Sequence, residues 1–319
     1  MSVCLIVSDE VSDDTWKKEI PPYSGLGTEG IGSVFQYQIL LAFFADFMGV
    51  DYTFSGTTNL SHHSYTDKSE NDFCGSLDEF FNLSNVKKEW DRVHMFAQLS
   101  GTQDPRGAEI FNGELQSFIE QHRDSEENIL INLHWCHLYL AQFCKVNASL
   151  IFTKERVDKM RENLVYNGEK YFDDKINISW HVRTPNPNDV PAEIVSPLRE
   201  LYFYEKDYQR YVNLITALKN TFADKDVNLH IHSQGFTSDF TEFTQLKTDN
   251  FNIVAHLDED AITDLYHMSH ADMFVMSNSS FSWIASLLNS NQKIVRDNFT
   301  NGPFTFNSTK ANYDFTSYA

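Results

Sequence analysis

A chain of 319 residues that is 41% hydrophobic and 14% aromatic can build the core of one large or two ordinary domains, and it lacks the low-hydrophobicity signature of a disordered polymer. Its formal net charge of −20 argues against a nucleic-acid partner and against docking on anionic lipid, because both need clustered Lys and Arg. An anionic ligand must therefore be held by a few local donors and not by the overall field.

The opening residues, MSVCLIVSDE, carry no basic region and no cleavage site, so residues 3–7 read as a first strand and not as a signal peptide. Residues 21–33 form a Gly-rich loop containing Gly25, Gly27, Gly30 and Gly32. Its spacing is too irregular for a dinucleotide fingerprint, and it has no P-loop lysine. Residues 34–48 follow as a helix apolar on nearly all faces, which predicts burial. Asp46 interrupts its strongest apolar run, and no stretch approaches the length that spans a bilayer. The first half continues with a strand at 50–54, a polar loop at 55–75 and a mostly helical stretch at 80–121 broken near 101–107. A strand at 128–133 and a helical segment at 134–167 complete it. The 26 phenylalanines are most simply core material. A short polar stretch at 168–175 divides the chain into an N-terminal domain, 1–170, and a C-terminal domain, 171–319.

The second half opens with INISWHVR, residues 176–183, an apolar strand that ends in His181 and Arg183. It runs into a loop stiffened by Pro185, Pro187, Pro191 and Pro197, four of the eight prolines in the chain. A cation at the carboxyl end of a strand sits where open α/β sheets bind ligands. Arginine grips two phosphate oxygens at once and never loses its charge. A helix at 205–222 and strands at 227–233 and 251–257 follow, then a helix at 261–270. The alternation implies a parallel sheet with covering helices. The segment 271–286, ADMFVMSNSSFSWIAS, reads as a strand, a turn of small hydroxyl residues and a helix with Phe281, Trp283, Ile284 and Leu287 at helical spacing. Such a capped helix N-terminus offers unpaired amides and partial positive charge to a phosphate. A final strand is expected at 293–295.

These segments resemble the α1,6- and α1,2-fucosyltransferase superfamily. AITDLYHMSHADMFVMSNSS, residues 261–280, is similar to its donor-binding segment: Asp264 lies eight residues before Asp272 of an Ala-Asp pair, and an apolar strand leads to Ser279 and Ser280. HVR at 181–183 resembles the His-x-Arg motif, and GLGTEGIGSVFQYQIL from Gly25 resembles the N-terminal Gly-rich segment. Thr28 and Glu29 replace that segment's usual Asn-Gln, and the Gly-Asp that often follows His-x-Arg is absent. The resemblance covers about a fifth of the chain. It implies an α/β, GT-B-like fold of two Rossmann-type domains with a cleft between them.

The resemblance also implies an inverting glycosyltransferase that moves a sugar, fucose favoured, from a GDP- or UDP-linked donor to a glycan acceptor. Arg183 and the helix start at Ser279, Ser280 and Phe281 would stabilise the departing diphosphate, faced by Gly25 and Gly27. Asp264 would bind ribose or base, and His181 would orient the nucleotide. Asp189 and Glu193, on the stiff loop after Arg183, are the candidates for the base that deprotonates the acceptor. The acceptor side falls to residues 1–170.

No cofactor is expected, and no metal. Asp224-Lys225-Asp226 and Asp258-Glu259-Asp260 match the Asp-x-Asp pattern of metal-dependent transferases, but such triplets arise by chance in a chain with 45 acidic residues. The 12 histidines include His134 and His137 on one helical segment and His230 and His232 on one strand face, with nothing completing a zinc set. Cys4, Cys74, Cys136 and Cys144 show neither metal spacing nor a disulfide framework. Of the Asn-x-Ser/Thr sequons, Asn278 lies in the expected phosphate turn and Asn177 in a strand, where glycans would be destructive. Cytoplasmic residence is therefore expected. Two alternatives stay open: a metal-dependent UDP-sugar transferase acting through one of the triplets, and a non-catalytic glycan- or nucleotide-binding module of the same fold.

Overall fold

The structure is a computed structural model that describes residues 3–6, 30–54, 60, 69–82, 90–95, 105–133, 137–184, 208–277 and 279–294. Of these described residues, those up to Arg156 form one compact unit and those from Val157 a second. Each unit is a wholly parallel sheet with helices between its strands, so the α/β class with two Rossmann-type units holds.

The first unit contains β1 (Val3–Ile6), α1 (Ile31–Met48), β2 (Asp51–Tyr52), α2 (Glu70–Phe81), β3 (Arg92–Met95), α3 (Pro105–His122), β4 (Ile129–Asn132), α4 (His137–Val146) and α5 (Ala148–Ile151); α6 (Lys154–Glu162) carries the division. The strand order is β2-β1-β4-β3. All four residues of β1 and of β4 are buried, as in a parallel sheet covered on both faces. The unbroken apolar character of α1 has the expected consequence: Ile39 to Ala45 are fully enclosed. Gly49 ends this helix at φ 67°, in the left-handed region that a glycine cap occupies without strain. Phenylalanines do form the core, with Phe35 stacked on Phe81 at 4.4 Å and Phe44 edge-on to Phe143 at 5.3 Å.

Two elements here depart from the sequence reading. The expected polar loop at 55–75 gives way at Ser69, whose hydroxyl caps α2 by accepting from the Asp72 amide. The expected helical stretch at 80–121 is interrupted by β3, a four-residue edge strand paired with β4 from Arg92 opposite Ile129 to Met95 opposite Asn132. Its extended state comes from that pairing and not from its own residues.

The second unit contains β5 (Ile176–Val182), α7 (Tyr208–Thr221), β6 (Val227–Ser233), α8 (Thr237–Thr244), β7 (Phe251–Leu257), α9 (Ala261–His270), β8 (Met273–Val275), α10 (Ser280–Leu288) and β9 (Gln292–Ile294). Residues 166–171, around the polar stretch before β5, belong here: Tyr166 stacks on Tyr266 and Tyr171 on His267. The order β7-β6-β5-β8-β9 reverses direction between β5 and β8, the switch point at which open α/β sheets bind ligands outside their carboxyl ends.

The two faces of this sheet differ. Ile178, Trp180, Val182, Leu229 and Ile231 pack with Ile215, Leu218, Phe240 and Phe243 into one apolar core. The alternate positions are polar and also buried: Asn177, Ser179 and His181 on β5, Asn228, His230 and His232 on β6, and His256 on β7. Asn177, Asn228 and Asn252 share one register level, and His181, His232 and His256 another. Buried polar groups are tolerated only when hydrogen-bonded, so this face commits the sheet to a specific network. Among the described residues no helix is long and apolar enough to cross a membrane, and Cys4, Cys74 and Cys144 are buried free thiols.

Candidate functional site

The carboxyl edge of the second sheet collects the residues singled out from sequence. β5 delivers His181 and, one position past its end, Arg183. β8 delivers the hydroxyl turn that opens α10. Because β5 and β8 are neighbours, two segments about a hundred residues apart meet at the switch point.

His181 joins them. Its Nδ1 lies 2.6 Å from Ser282 Oγ and 3.0 Å from Ser277 Oγ, and the Ser277 amide donates to Ser282 Oγ at 3.0 Å. Burial, and after it the positive charge of Arg183, pushes the His181 pKa down to about 3, so the imidazole is neutral at physiological pH. Phe281 meets its ring edge-on at 5.5 Å. Ser279 caps α10 by accepting from the Phe281 amide at 3.1 Å, and Ser280 is the first helical residue. The first turn of this helix thus points its amides at the edge that Arg183 borders.

Arg183 is partly buried, and its Nη1 donates to Gln234 Oε1 at 3.1 Å. Gln234 sits in the loop after β6, next to Gly235. Gly235 adopts φ +116°, a conformation open to glycine, and a Cβ there would come within 3.0 Å of Asp239 Oδ2. Asp239 Oδ2 accepts from the Phe236 amide and so closes the start of α8. The loop that steadies Arg183 is therefore itself pinned. Gln234 and Gly235 were not anticipated from sequence; the neighbouring position of β6 and β5 is what makes them relevant.

Asp264 lies in the first turn of α9, over the end of β6, and its Oδ1 lies 2.7 Å from His232 Nδ1. His232 Nε2 lies 3.2 Å from Ser179 Oγ. Burial and then the Glu259 carboxylate raise the Asp264 pKa, while burial and then His256 lower that of His232 to about 3. The Asp272 carboxylate accepts from the Asn177 amide at 2.9 Å. That bond is at the opposite, amino end of the sheet, so Asp272 fastens β8 to β5 and takes no part in the edge described here. Gly25, Gly27, Asp189 and Glu193 lie outside the described residues, as does Asn278.

The Asp-x-Asp triplets are occupied by local structure. Asp260 caps α9 through the Ile262 amide, Glu259 accepts from His256 Nδ1 at 2.9 Å, and Asp258 accepts from the Gly235 amide. Asp224 pairs with Lys225 on the surface. His230 Nδ1 lies 3.0 Å from His256 Nε2 and its Nε2 lies 3.3 Å from Asn177 Oδ1. The rings of His256 and His267 sandwich Tyr171 at 4.3 and 3.4 Å. Among the described residues no group of three or more His, Cys, Asp or Glu side chains is arranged to hold a metal ion.

No protein-family model and no curated protein matches the chain. Similar solved structures include the NodZ alpha-1,6-fucosyltransferase soaked with GDP-fucose, at 15% identity and a TM-score of 0.39 over 93% of this chain and 96% of that one. They also include POFUT1 in complex with GDP, at 9% identity and a TM-score of 0.39 over 93% of this chain and 99% of that one. POFUT1 in complex with GDP-fucose is similar at 10% identity and a TM-score of 0.39, over 92% and 98% of the two chains.

Proposed function

We propose that the protein is an inverting glycosyltransferase that moves a sugar, fucose favoured, from a nucleoside-diphosphate donor to a glycan acceptor. One observation carries this reading: the two anion-suited segments, His181 to Arg183 and the hydroxyl residues Ser277, Ser279 and Ser280 with Phe281, stand side by side at the ends of β5 and β8 at the switch point of a Rossmann-ordered sheet. An acceptor hydroxyl attacks the anomeric carbon from the face opposite the diphosphate. The carbon–oxygen bond to the diphosphate breaks, and its electron pair leaves with the phosphate oxygen. Arg183 and the amides of α10 supply positive charge where that negative charge develops. Neutral His181 orients the hydroxyl turn and with it the helix start. Asp264 receives the nucleoside. The reaction so written draws its positive charge from the protein and assigns no step to a metal.

Binding of the donor is the direct test. In a thermal-shift panel of GDP, UDP, GDP-fucose and UDP-xylose, at least one nucleotide is expected to raise the melting temperature. A ligand at a hundredfold its Kd stabilises the native state by about 2.7 kcal/mol. The absence of any shift at millimolar nucleotide overturns the reading.

The acceptor proton goes to Asp189 or Glu193 in this proposal. Asp189→Asn and Glu193→Gln keep shape and remove basicity. One of them is expected to lower the transfer rate by a factor of roughly 100 to 10,000 while leaving nucleotide affinity unchanged, because the base touches the acceptor alone. Near wild-type transfer by both variants removes these residues from the mechanism.

A further inference from the structure

We infer that His232 is a positioning residue for the donor, fixing the Asp264 carboxylate so that it receives the nucleoside half of the nucleotide. This rests on the reading above, in which Asp264 is a donor contact. His232 is the penultimate residue of β6 and is fully buried. Both ring nitrogens have partners, Asp264 Oδ1 at 2.7 Å and Ser179 Oγ at 3.2 Å. The ring face packs on His256 at 5.2 Å and 16°, and His256 packs on Tyr171 at 4.3 Å and 13°. The stack sets the plane of the imidazole and the two hydrogen bonds set its rotation within that plane. The side chain has one orientation.

That orientation ties the protons to the state of Asp264. With Asp264 ionised, Nδ1 carries the hydrogen that the carboxylate accepts, and Nε2 accepts from the Ser179 hydroxyl. The arrangement has a physical purpose. Asp264 is surrounded by the acidic residues Asp258, Glu259 and Asp260, which together with burial favour its protonated form. A fixed N–H donor favours the carboxylate instead. Among the described residues, the Asp264 oxygen that His232 does not hold, Oδ2, has no hydrogen-bond partner. A carboxylate with one oxygen anchored and the other open, at the ligand-binding edge of the sheet, suits an N–H or O–H donor of a nucleoside. It does not suit a diphosphate, which offers only acceptors.

The test is calorimetric titration of the full-length chain with whichever of GDP and UDP binds more tightly, and with inorganic pyrophosphate. His232→Leu is expected to weaken nucleotide binding about tenfold, on the order of one hydrogen bond to a charged group. Pyrophosphate affinity should stay unchanged, which general damage to the sheet would not allow. His232→Asn places its amide nitrogen near the Nδ1 position and should restore nucleotide affinity to within about threefold. His232→Gln extends its amide toward the Nε2 position and should not; this pair of variants decides the matter where His232→Leu does not fold. Asp264→Ala should weaken nucleotide binding as His232→Leu does, and the double variant should be no weaker than Asp264→Ala alone. Wild-type nucleotide affinity in His232→Leu, equal affinities of the Asn and Gln variants, or additive losses overturn the positioning role and leave the glycosyltransferase reading standing. Failure of the wild-type protein to bind either nucleotide overturns that reading and this inference together.

Discussion

Arg183→Lys is expected to lower kcat/KM by about 30- to 1,000-fold, the equivalent of roughly 2–4 kcal/mol of transition-state stabilisation. The substitution keeps the positive charge, so a role as a diffuse counter-charge predicts almost no effect. The geometry demands more. The guanidinium is anchored through Nη1 to Gln234 Oε1, and its planar fork has the geometry to grip two phosphate oxygens at once. An ammonium on a flexible stem is a single point of charge and cannot keep the Gln234 anchor and the two-oxygen grip together. The loss should fall on kcat more than on KM, since charge on the phosphate grows as the glycosidic bond breaks. Single-turnover transfer assays with donor in excess measure this directly. Turnover near wild type in Arg183→Lys ends the proposed role of this residue.

Lowering the pH from 7 to 5 is expected to destabilise the second unit steeply. His181 and His232 have folded-state pKa values near 3, mainly because burial disfavours the charged ring; His230 is at about 3 and His267 at about 4, again through burial. In the unfolded chain they titrate near 6.5. Between those values the unfolded state binds more protons, so stability rises with pH there and is lost on acidification. The histidine contribution is complete above about pH 6.5 and disappears toward pH 3. Each of the fully buried pair His181 and His232 should give up about 2 kcal/mol between pH 6.5 and 5. Asp264 works in the opposite direction, because its pKa is raised by burial and by Glu259; one such group does not offset four histidines. Thermal unfolding of the full chain across this range should show a falling melting temperature, with faster amide exchange in β5, β6 and β7. A melting temperature constant from pH 7 to 5 means that these rings are not buried and neutral in the native state.

The strands of the second unit were legible because each carries its own signal. INISWHV and VNLHIHS are short runs rich in β-branched and aromatic residues, bounded by turn residues, and both are strands at nearly the expected limits. On β6 the sequence also placed His230 and His232 on one strand face; on β5, which reads as an apolar strand, it is the structure that separates Ile178, Trp180 and Val182 from Asn177, Ser179 and His181. β3 and α8 were not legible. The four residues of β3 are extended because β4 lies beside them. The Thr- and Phe-rich α8 has weak helix propensity, and its start depends on the bond between Asp239 and the Phe236 amide.

The candidate site divides in the same way. The sequence by itself determined that His181, Arg183, Ser279 and Ser280 stand at strand ends and a helix start, because a strand followed by a cation or by a hydroxyl cap is written in consecutive residues. It also determined that an anionic ligand would need such local donors, because the net charge of −20 repels it elsewhere. Only the tertiary structure decided which of these segments are neighbours. The strand order puts β5 beside both β8 and β6, so that His181 meets Ser277 and Ser282 while Arg183 meets Gln234. It also decided that Asp264 is held by a buried histidine and that Asp272, eight residues on, belongs to the far end of the sheet. Local patterns encode which element a residue occupies. The hydrogen-bonding partners of a buried polar side chain are set by strand register and order, and these depend on the free energy of the whole packed sheet.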